Sequence, residues 1–213
     1  MPQRDQLIGE LQGEKQYGVL LVAQMGGVPN ELQLVIQTAE YDATAEGLRP
    51  LSTYAVRALG VREHRVTLGV FGRLALPDSH PLLYHHNAPK AAVYFDGKPA
   101  DINELVLDIS QAHVSALEGW RHLVDMPEDI NRSAPMVDLL AKGYGLLGVM
   151  PKPLAERMGR VLEHHGIKAT LNEEANYETT DEHGRSRLAK LLLIDQSYII
   201  ALDFTVERMG KSM

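Results

Sequence analysis

The hydrophobic positions of residues 101–124 repeat with the period of a helix. With Ile109 as the reference and a rotation of about 100° per residue, Leu105 and Trp120 fall within about 40° of the same direction. Asp101 stands directly before this pattern and suits the N-cap position. We therefore predict one long amphipathic helix over 101–124 with a single buried face.

Strand-like patterns lie on both sides of this helix. Residues 53–59 fit a strand or a helical turn, and residues 39–50 form a polar link. The segments with strand patterns are 17–25, 32–38, 64–76, 91–95, 167–171, 188–194 and 198–206. A glycine pair, Gly26 and Gly27, separates the first two segments and predicts a hairpin.

Two shorter helices are predicted at 133–142 and 153–165, the second ending at Gly166. Strands grouped before and after a helical middle favour an α+β fold over alternating strands and helices. We expect a mainly antiparallel sheet, built from strand-rich N- and C-terminal parts and packed by the central helix 101–124 and the two shorter helices. The length predicts a single domain, 1–213, with room for a helical lobe at about 126–166.

Charge and composition exclude several classes of function. Lys and Arg total 21 against 28 Asp and Glu, a formal net charge of −7, so nucleic acid is not an expected partner. The chain has no cysteine, which excludes disulfides, thiolate metal sites and cysteine nucleophiles. No apolar run approaches the roughly 18–20 residues that span a bilayer, and the first residues contain no apolar stretch typical of a signal peptide. These features predict a cytoplasmic chain without membrane contact.

Three histidines lie close together in the sequence at His80, His85 and His86. Imidazoles are common ligands of transition metals, so the three are candidate metal ligands. Their spacing matches no known ligand motif. Surface histidines beside a proline turn explain the same pattern, and that interpretation is favoured.

The central helix carries a candidate catalytic pair, His113 and Asp108. His113 falls about 40° from the centre of the buried stripe, so a titratable group is predicted at the edge of the core. Such a group can act as a general acid or base. A buried histidine that bonds to a neighbouring carbonyl is the structural alternative.

Residues 143–148 match the pattern Gly-x-Gly-x-x-Gly. A dinucleotide site needs a strand before the glycines and a helix after them, whereas here a helix is predicted before them. We interpret the segment as a glycine loop between two helices, with Gly143, Tyr144 and Gly145 as candidate ligand-binding residues. A hinge is an equally good explanation.

These observations favour a non-catalytic ligand-binding or protein-interaction module, which we expect to form a homodimer. The alternative is a small histidine-dependent hydrolase, with or without a metal ion. The sequence points to no particular cofactor.

Overall fold

The computed structural model describes residues 3–121, 123–180 and 183–210. The chain forms two compact units, one from Met1–His80 with Arg187–Met213 and the other from Pro81–Ser186. The protein is 25% helical and 42% strand, and all pairings between its named strands are antiparallel. The predicted α+β fold with mainly antiparallel sheet is therefore confirmed. Folding of 1–213 as a single domain stays a prediction.

Five helices and twelve strands follow one another along the described residues. In chain order they are α1 (Gln3–Gly9), β1 (Gln16–Met25), β2 (Glu31–Asp42), β3 (Gly47–Leu59), β4 (Glu63–Arg65), β5 (Gly69–Phe71), β6 (Leu74–Ala75), α2 (Tyr84–Asn87), β7 (Lys90–Asp96), α3 (Ile102–Ala116), α4 (Met136–Ala141), β8 (Tyr144–Pro151), α5 (Lys152–His164), β9 (Lys168–Glu173), β10 (Lys190–Ile194), β11 (Ser197–Ala201) and β12 (Asp203–Met209). Two short 3₁₀ helices, Pro81–Leu83 and Leu123–Glu128, complete the set.

The first unit consists of two antiparallel sheets and α1. The strand order is β12–β3–β2–β1–β5 in one sheet and β4–β11–β10–β6 in the other. In β2, Leu32, Leu34 and Ile36 are buried, whereas Gln33 and Val35 between them are half-buried. One face of the strand therefore carries the buried apolar side chains. Apolar side chains of both sheets and of α1 share one core. The predicted β1–β2 hairpin is confirmed.

The second unit contains a three-stranded sheet with the order β8–β7–β9. Both outer strands pair antiparallel with β7, so they run parallel to each other, and α5 connects them. Helices α3 and α5 pack together, and their apolar residues share one core with Ala91, Val93 and Phe95 of β7. The polar sides of α3 and α5 therefore lie outside this core.

The central helix is shorter than predicted. Asp101 is its N-cap, as expected, since its carboxylate accepts hydrogen bonds from the amides of Asn103 and Glu104 at 2.8 and 3.1 Å. The helix ends after Ala116 rather than at residue 124. Glu118 and Gly119 have φ values of 51° and 73°, and the Gly119 amide donates to the Val114 carbonyl at 3.1 Å. This is a Schellman stop with glutamate at the left-handed position, which the apolar pattern did not reveal.

The prediction of a glycine loop between two helices is wrong. Residues 144–151 form strand β8, which lies inside the segment expected to be a helical lobe. Leu147 and Met150 are fully buried on this strand, and their burial outweighs the low strand preference of three nearby glycines. Gly145, with a φ of 148°, adopts a backbone conformation that favours glycine.

Two other local predictions are also corrected. The polar link at 39–50 instead contains the ends of β2 and β3, joined by a turn in which the Asp42 carboxylate accepts the Thr44 and Ala45 amides. The single strand at 64–76 is divided among β4, β5 and β6, which belong to two sheets. Residues 53–59, left open between strand and helix, lie in β3.

Among the described residues, no helix is long and apolar enough to cross a bilayer.

Candidate functional site

A buried carboxylate, Asp129, joins two of the histidines that the sequence singled out. Its Oδ1 lies 2.9 Å from His85 Nε2, and its Oδ2 lies 2.9 Å from His113 Nε2. The exposed fractions are 4% for Asp129, 0% for His113 and 15% for His85. We call these three residues the His–Asp–His cluster.

The carboxylate of the cluster is ionised over the ordinary pH range. Burial acts to raise the pKa of Asp129, but hydrogen bonds from His113 and His85, with their charges, lower this pKa from 3.8 to about 2. An ionised carboxylate only accepts hydrogen bonds, so both Nε2 atoms must carry the protons. Asp129 therefore fixes the orientation of both imidazole rings.

A close backbone approach places Asp129 between the two histidines. His85 lies on α2 and His113 in the last turn of α3, while residues 129–131 lie along β8. The Asn131 amide donates to the Leu147 carbonyl at 2.8 Å, and Ile130 forms a bridge with Gly148. A Cβ atom at Gly148 would lie 2.0 Å from the Asp129 carbonyl oxygen, so only glycine permits this approach.

The cluster has the contacts of a structural lock. The Nδ1 atoms of His85 and His113 are buried and make no hydrogen bond with any residue that the structure describes. A general base must reach the proton that it removes, and these two atoms are shielded from solvent. The arrangement therefore serves to hold α2, α3 and the 129–131 segment together.

The predicted catalytic pair, His113 and Asp108, is not joined in the structure. His113 contacts Asp129, whereas Asp108 accepts a hydrogen bond from His165 Nε2 at 2.8 Å. The latter bond links α3 to the residue that follows α5. A catalytic role for His113 and Asp108 stays a prediction.

The three predicted metal ligands divide between the two units. His80 belongs to the first unit, while His85 and His86 belong to the second, and His85 is engaged by Asp129. Within residues 3–121, 123–180 and 183–210, no three His, Asp or Glu side chains converge in the manner of a metal site. Metal binding by His80, His85 and His86 stays a prediction that metal analysis can test.

The predicted ligand-binding glycines lie at the start of a strand. The Gly143 carbonyl accepts the Gly97 amide at 2.7 Å, and Tyr144 and Gly145 stand opposite Asp96 and Phe95 of β7. Tyr144 is 70% exposed. A β ladder replaces the loop that was expected to cradle an anion, and ligand binding by Gly143, Tyr144 and Gly145 stays a prediction.

A groove of about 370 Å³ lies between the polar sides of α3 and α5. We call it the α3–α5 groove. Its walls are formed mainly by Gln111, Ala112 and Ser115 of α3 and by Arg157, Arg160 and His164 of α5. Asp108 lies at the same groove, where its carboxylate is already engaged by His165.

Two guanidinium groups in this groove have no partner among the residues that the structure describes. Neither Arg157, which is half-buried, nor Arg160, which is exposed, forms an ion pair or hydrogen bond with another residue of the described chain. Residues three apart on a helix lie on the same face, so the two cations lie side by side. His164 follows one turn later on that face. Paired guanidinium groups are the usual means of binding carboxylate or phosphate oxygens in proteins.

Sequence reasoning missed Asp129, Arg157 and Arg160. Asp129 stands in a short polar segment after Pro127, and nothing local indicates its distant histidine partners. The spacing of Arg157 and Arg160 on the polar side of α5 was visible in the sequence. However, the absence of carboxylate partners becomes evident only when α3 is packed against that side.

Comparison with protein-family models, curated proteins and solved structures finds no match to this chain.

Proposed function

We propose that the protein is a non-catalytic binding module whose α3–α5 groove takes a small anion bearing a phosphate or carboxylate group. The observation that supports this proposal is the presence of Arg157 and Arg160 in the groove without carboxylate partners in the described chain. A cytoplasmic location is part of the same proposal.

The charge of the surroundings favours this interpretation. The chain carries a formal net charge of −7. Because carboxylates outnumber cationic side chains, an arginine usually has a carboxylate to pair with. Asp108, the acid of α3 that lines the groove, is instead held by His165 at 2.8 Å. Gln111 and Ser115 add neutral donors on the opposite wall, which can bind the remaining oxygens of an anion.

Inorganic phosphate is the simplest probe of this groove. Calorimetric titration of the full chain should detect binding, and Arg157→Gln and Arg160→Gln should each weaken it about tenfold, since charge-assisted hydrogen bonds contribute about 1.5–3 kcal/mol each. Arg4→Gln removes the same charge from exposed α1 and should leave the affinity unchanged. Phosphate affinity that is equal in all four proteins would overturn the proposal.

We also propose that the protein forms a homodimer through the outer edge of β1. Strand β5 pairs only with Gly18, Val19 and Leu20, and no strand of the described chain pairs with residues 21–25 on that side. Leu21 and Met25 are exposed there, and residues 18–30 contain no charge. Open uncharged edges favour pairing with another strand.

Light scattering on the purified chain at tens of micromolar tests the dimer. The wild type should have twice the monomer mass, and Leu21→Lys should be monomeric because a lysine at the edge opposes strand pairing. Lysine at Leu51, an exposed leucine on β3, should leave the dimer intact. A monomeric wild type would exclude the dimer while leaving the anion proposal untouched.

A further inference from the structure

A second groove lies on the other side of α3. Its volume is about 480 Å³, and its walls include Leu107, Ser110, Val114 and Glu118. We call it the Leu107 groove. Leu107 is 56% exposed, a high value for a leucine in the middle of a helix.

The two grooves meet along one stripe of α3. Gln111 and Ser115 line both of them, so a ligand that passes over these two side chains reaches the α3–α5 groove on one side and the Leu107 groove on the other. The two ends of this surface differ in character, with guanidinium groups at one end and leucine and valine side chains at the other. Each volume suits a small-molecule site.

From this juxtaposition we infer that the ligand is an amphiphilic anion, a phosphate monoester with a short single alkyl chain, bound with its phosphate at Arg157 and Arg160 and its chain along Leu107 and Val114. The inference rests on the anion-binding function proposed above and specifies its ligand class. Glu118 lies in the Leu107 groove and repels an anionic group there, so the charges set the direction of binding.

The same charges favour a free molecule over a lipid held in a bilayer. Attachment to an anionic membrane needs a cluster of several Lys and Arg residues on one surface. The α3–α5 groove supplies two arginines, and the protein as a whole is acidic. A bilayer would repel such a chain, whereas a single phosphate group needs only the two guanidinium groups.

Calorimetric titration of the full chain with octyl phosphate, below its micelle concentration, tests this inference against inorganic phosphate. Each methylene group removed from water tightens binding roughly fourfold, so partial burial of the chain should give octyl phosphate at least about tenfold higher affinity. Leu107→Ser should reduce this gain to less than about threefold and leave the affinity for inorganic phosphate unchanged.

Leu68→Ser is the matched control, since Leu68 has the same exposed fraction of 56% and belongs to the first unit. It should retain the full gain. Equal affinities for octyl phosphate and inorganic phosphate, both dependent on Arg157, would overturn the inference and leave the proposed function standing. Phosphate binding that does not depend on Arg157 and Arg160 would contradict both the inference and the proposed function. Stronger binding to vesicles of anionic phospholipid than to free octyl phosphate would also overturn the inference.

Discussion

Asp129 connects three separate parts of the second unit through one side chain. Its two oxygens accept hydrogen bonds from His85 on α2 and from His113 on α3, and its backbone lies against β8. Removing one partner of a buried charged cluster leaves uncompensated polar groups, which destabilises a protein more than the net contribution of the cluster would suggest. The fold of this unit should therefore be sensitive to a change at this one residue.

Asp129→Asn is expected to lower the free energy of unfolding by about 2–4 kcal/mol, because the amide nitrogen would face an imidazole N–H donor to donor. Denaturant unfolding followed by the fluorescence of Trp120 measures this loss, since the only tryptophan lies in the second unit. Asp96→Asn changes an exposed aspartate of β7 and should have little effect. Equal stability of both variants would mean that the cluster contributes nothing.

The difference in stability between the wild type and Asp129→Asn should depend on pH, and the sign of that dependence follows from the pKa of Asp129. The pKa of Asp129 is about 2 in the folded chain against an ordinary value of 3.8, so its ionisation stabilises the fold fully above about pH 4. That contribution is lost as the pH falls toward 2. The stability gap between wild type and Asp129→Asn should be about 1 kcal/mol smaller at pH 3 than at pH 5. A gap that widens at pH 3 would contradict this assignment.

At the scale of elements, β8 positions the cluster because one of its residues has no side chain. The Asp129 carbonyl occupies the space that a Cβ at Gly148 would fill, at 2.0 Å. The three nearest atoms, the carbonyl oxygen and carbon of Asp129 and the Cα of Ile130, are all backbone atoms, so no side-chain rotation relieves the clash. The strand must therefore move apart from residues 129–131 if any other residue replaces this glycine.

Gly148→Ala is accordingly expected to lower the free energy of unfolding by about 1–3 kcal/mol, the usual range for overpacking. Combined with Asp129→Asn, the two losses should be less than additive, since both release the same segment. Gly159→Ala on α5 is the control, because its Cβ would meet only side-chain carbons, a Leu171 methyl group at 3.2 Å and the Ala169 Cβ at 3.7 Å, and alanine favours a helix. Full additivity of the first two changes would show that Gly148 acts independently of the cluster.

Local signals in the sequence predicted several elements correctly. Asp101 marked the start of α3, and Gly166 marked the end of α5, where the Ile167 amide donates to the Leu162 carbonyl. The end of α3 was missed because Glu118 adopts the left-handed conformation usually taken by glycine or asparagine. Strand β8 was missed because the need for glycine at Gly148 comes from the close approach of residues 129–131, which are distant in the sequence.

The candidate sites were less predictable than the fold. His85 and His113 attracted attention as titratable groups, but their common partner is 44 residues from one and 16 from the other. The α3–α5 groove arises from the packing of two helices, each of which has an ordinary polar side in isolation. Pairings of this kind depend on tertiary contacts that no local pattern contains.

At the scale of the whole molecule, the two units divide the structural roles. The first unit is almost entirely antiparallel sheet with its own core, and the second unit carries both the His–Asp–His cluster and the α3–α5 groove. The protein has a net charge of −7, and in the second unit two arginines nevertheless lack acidic partners in the described chain. The proposed anionic ligand would pair with these two arginines.

A titration of the isotopically labelled full chain with inorganic phosphate, followed by amide chemical shifts, tests anion binding most directly. We expect saturable shifts concentrated in residues 108–115 of α3 and 157–164 of α5, and their disappearance in the Arg157→Gln, Arg160→Gln double variant. Shifts at the same residues that persist in the double variant, or shifts spread evenly over both units, would contradict the proposed site.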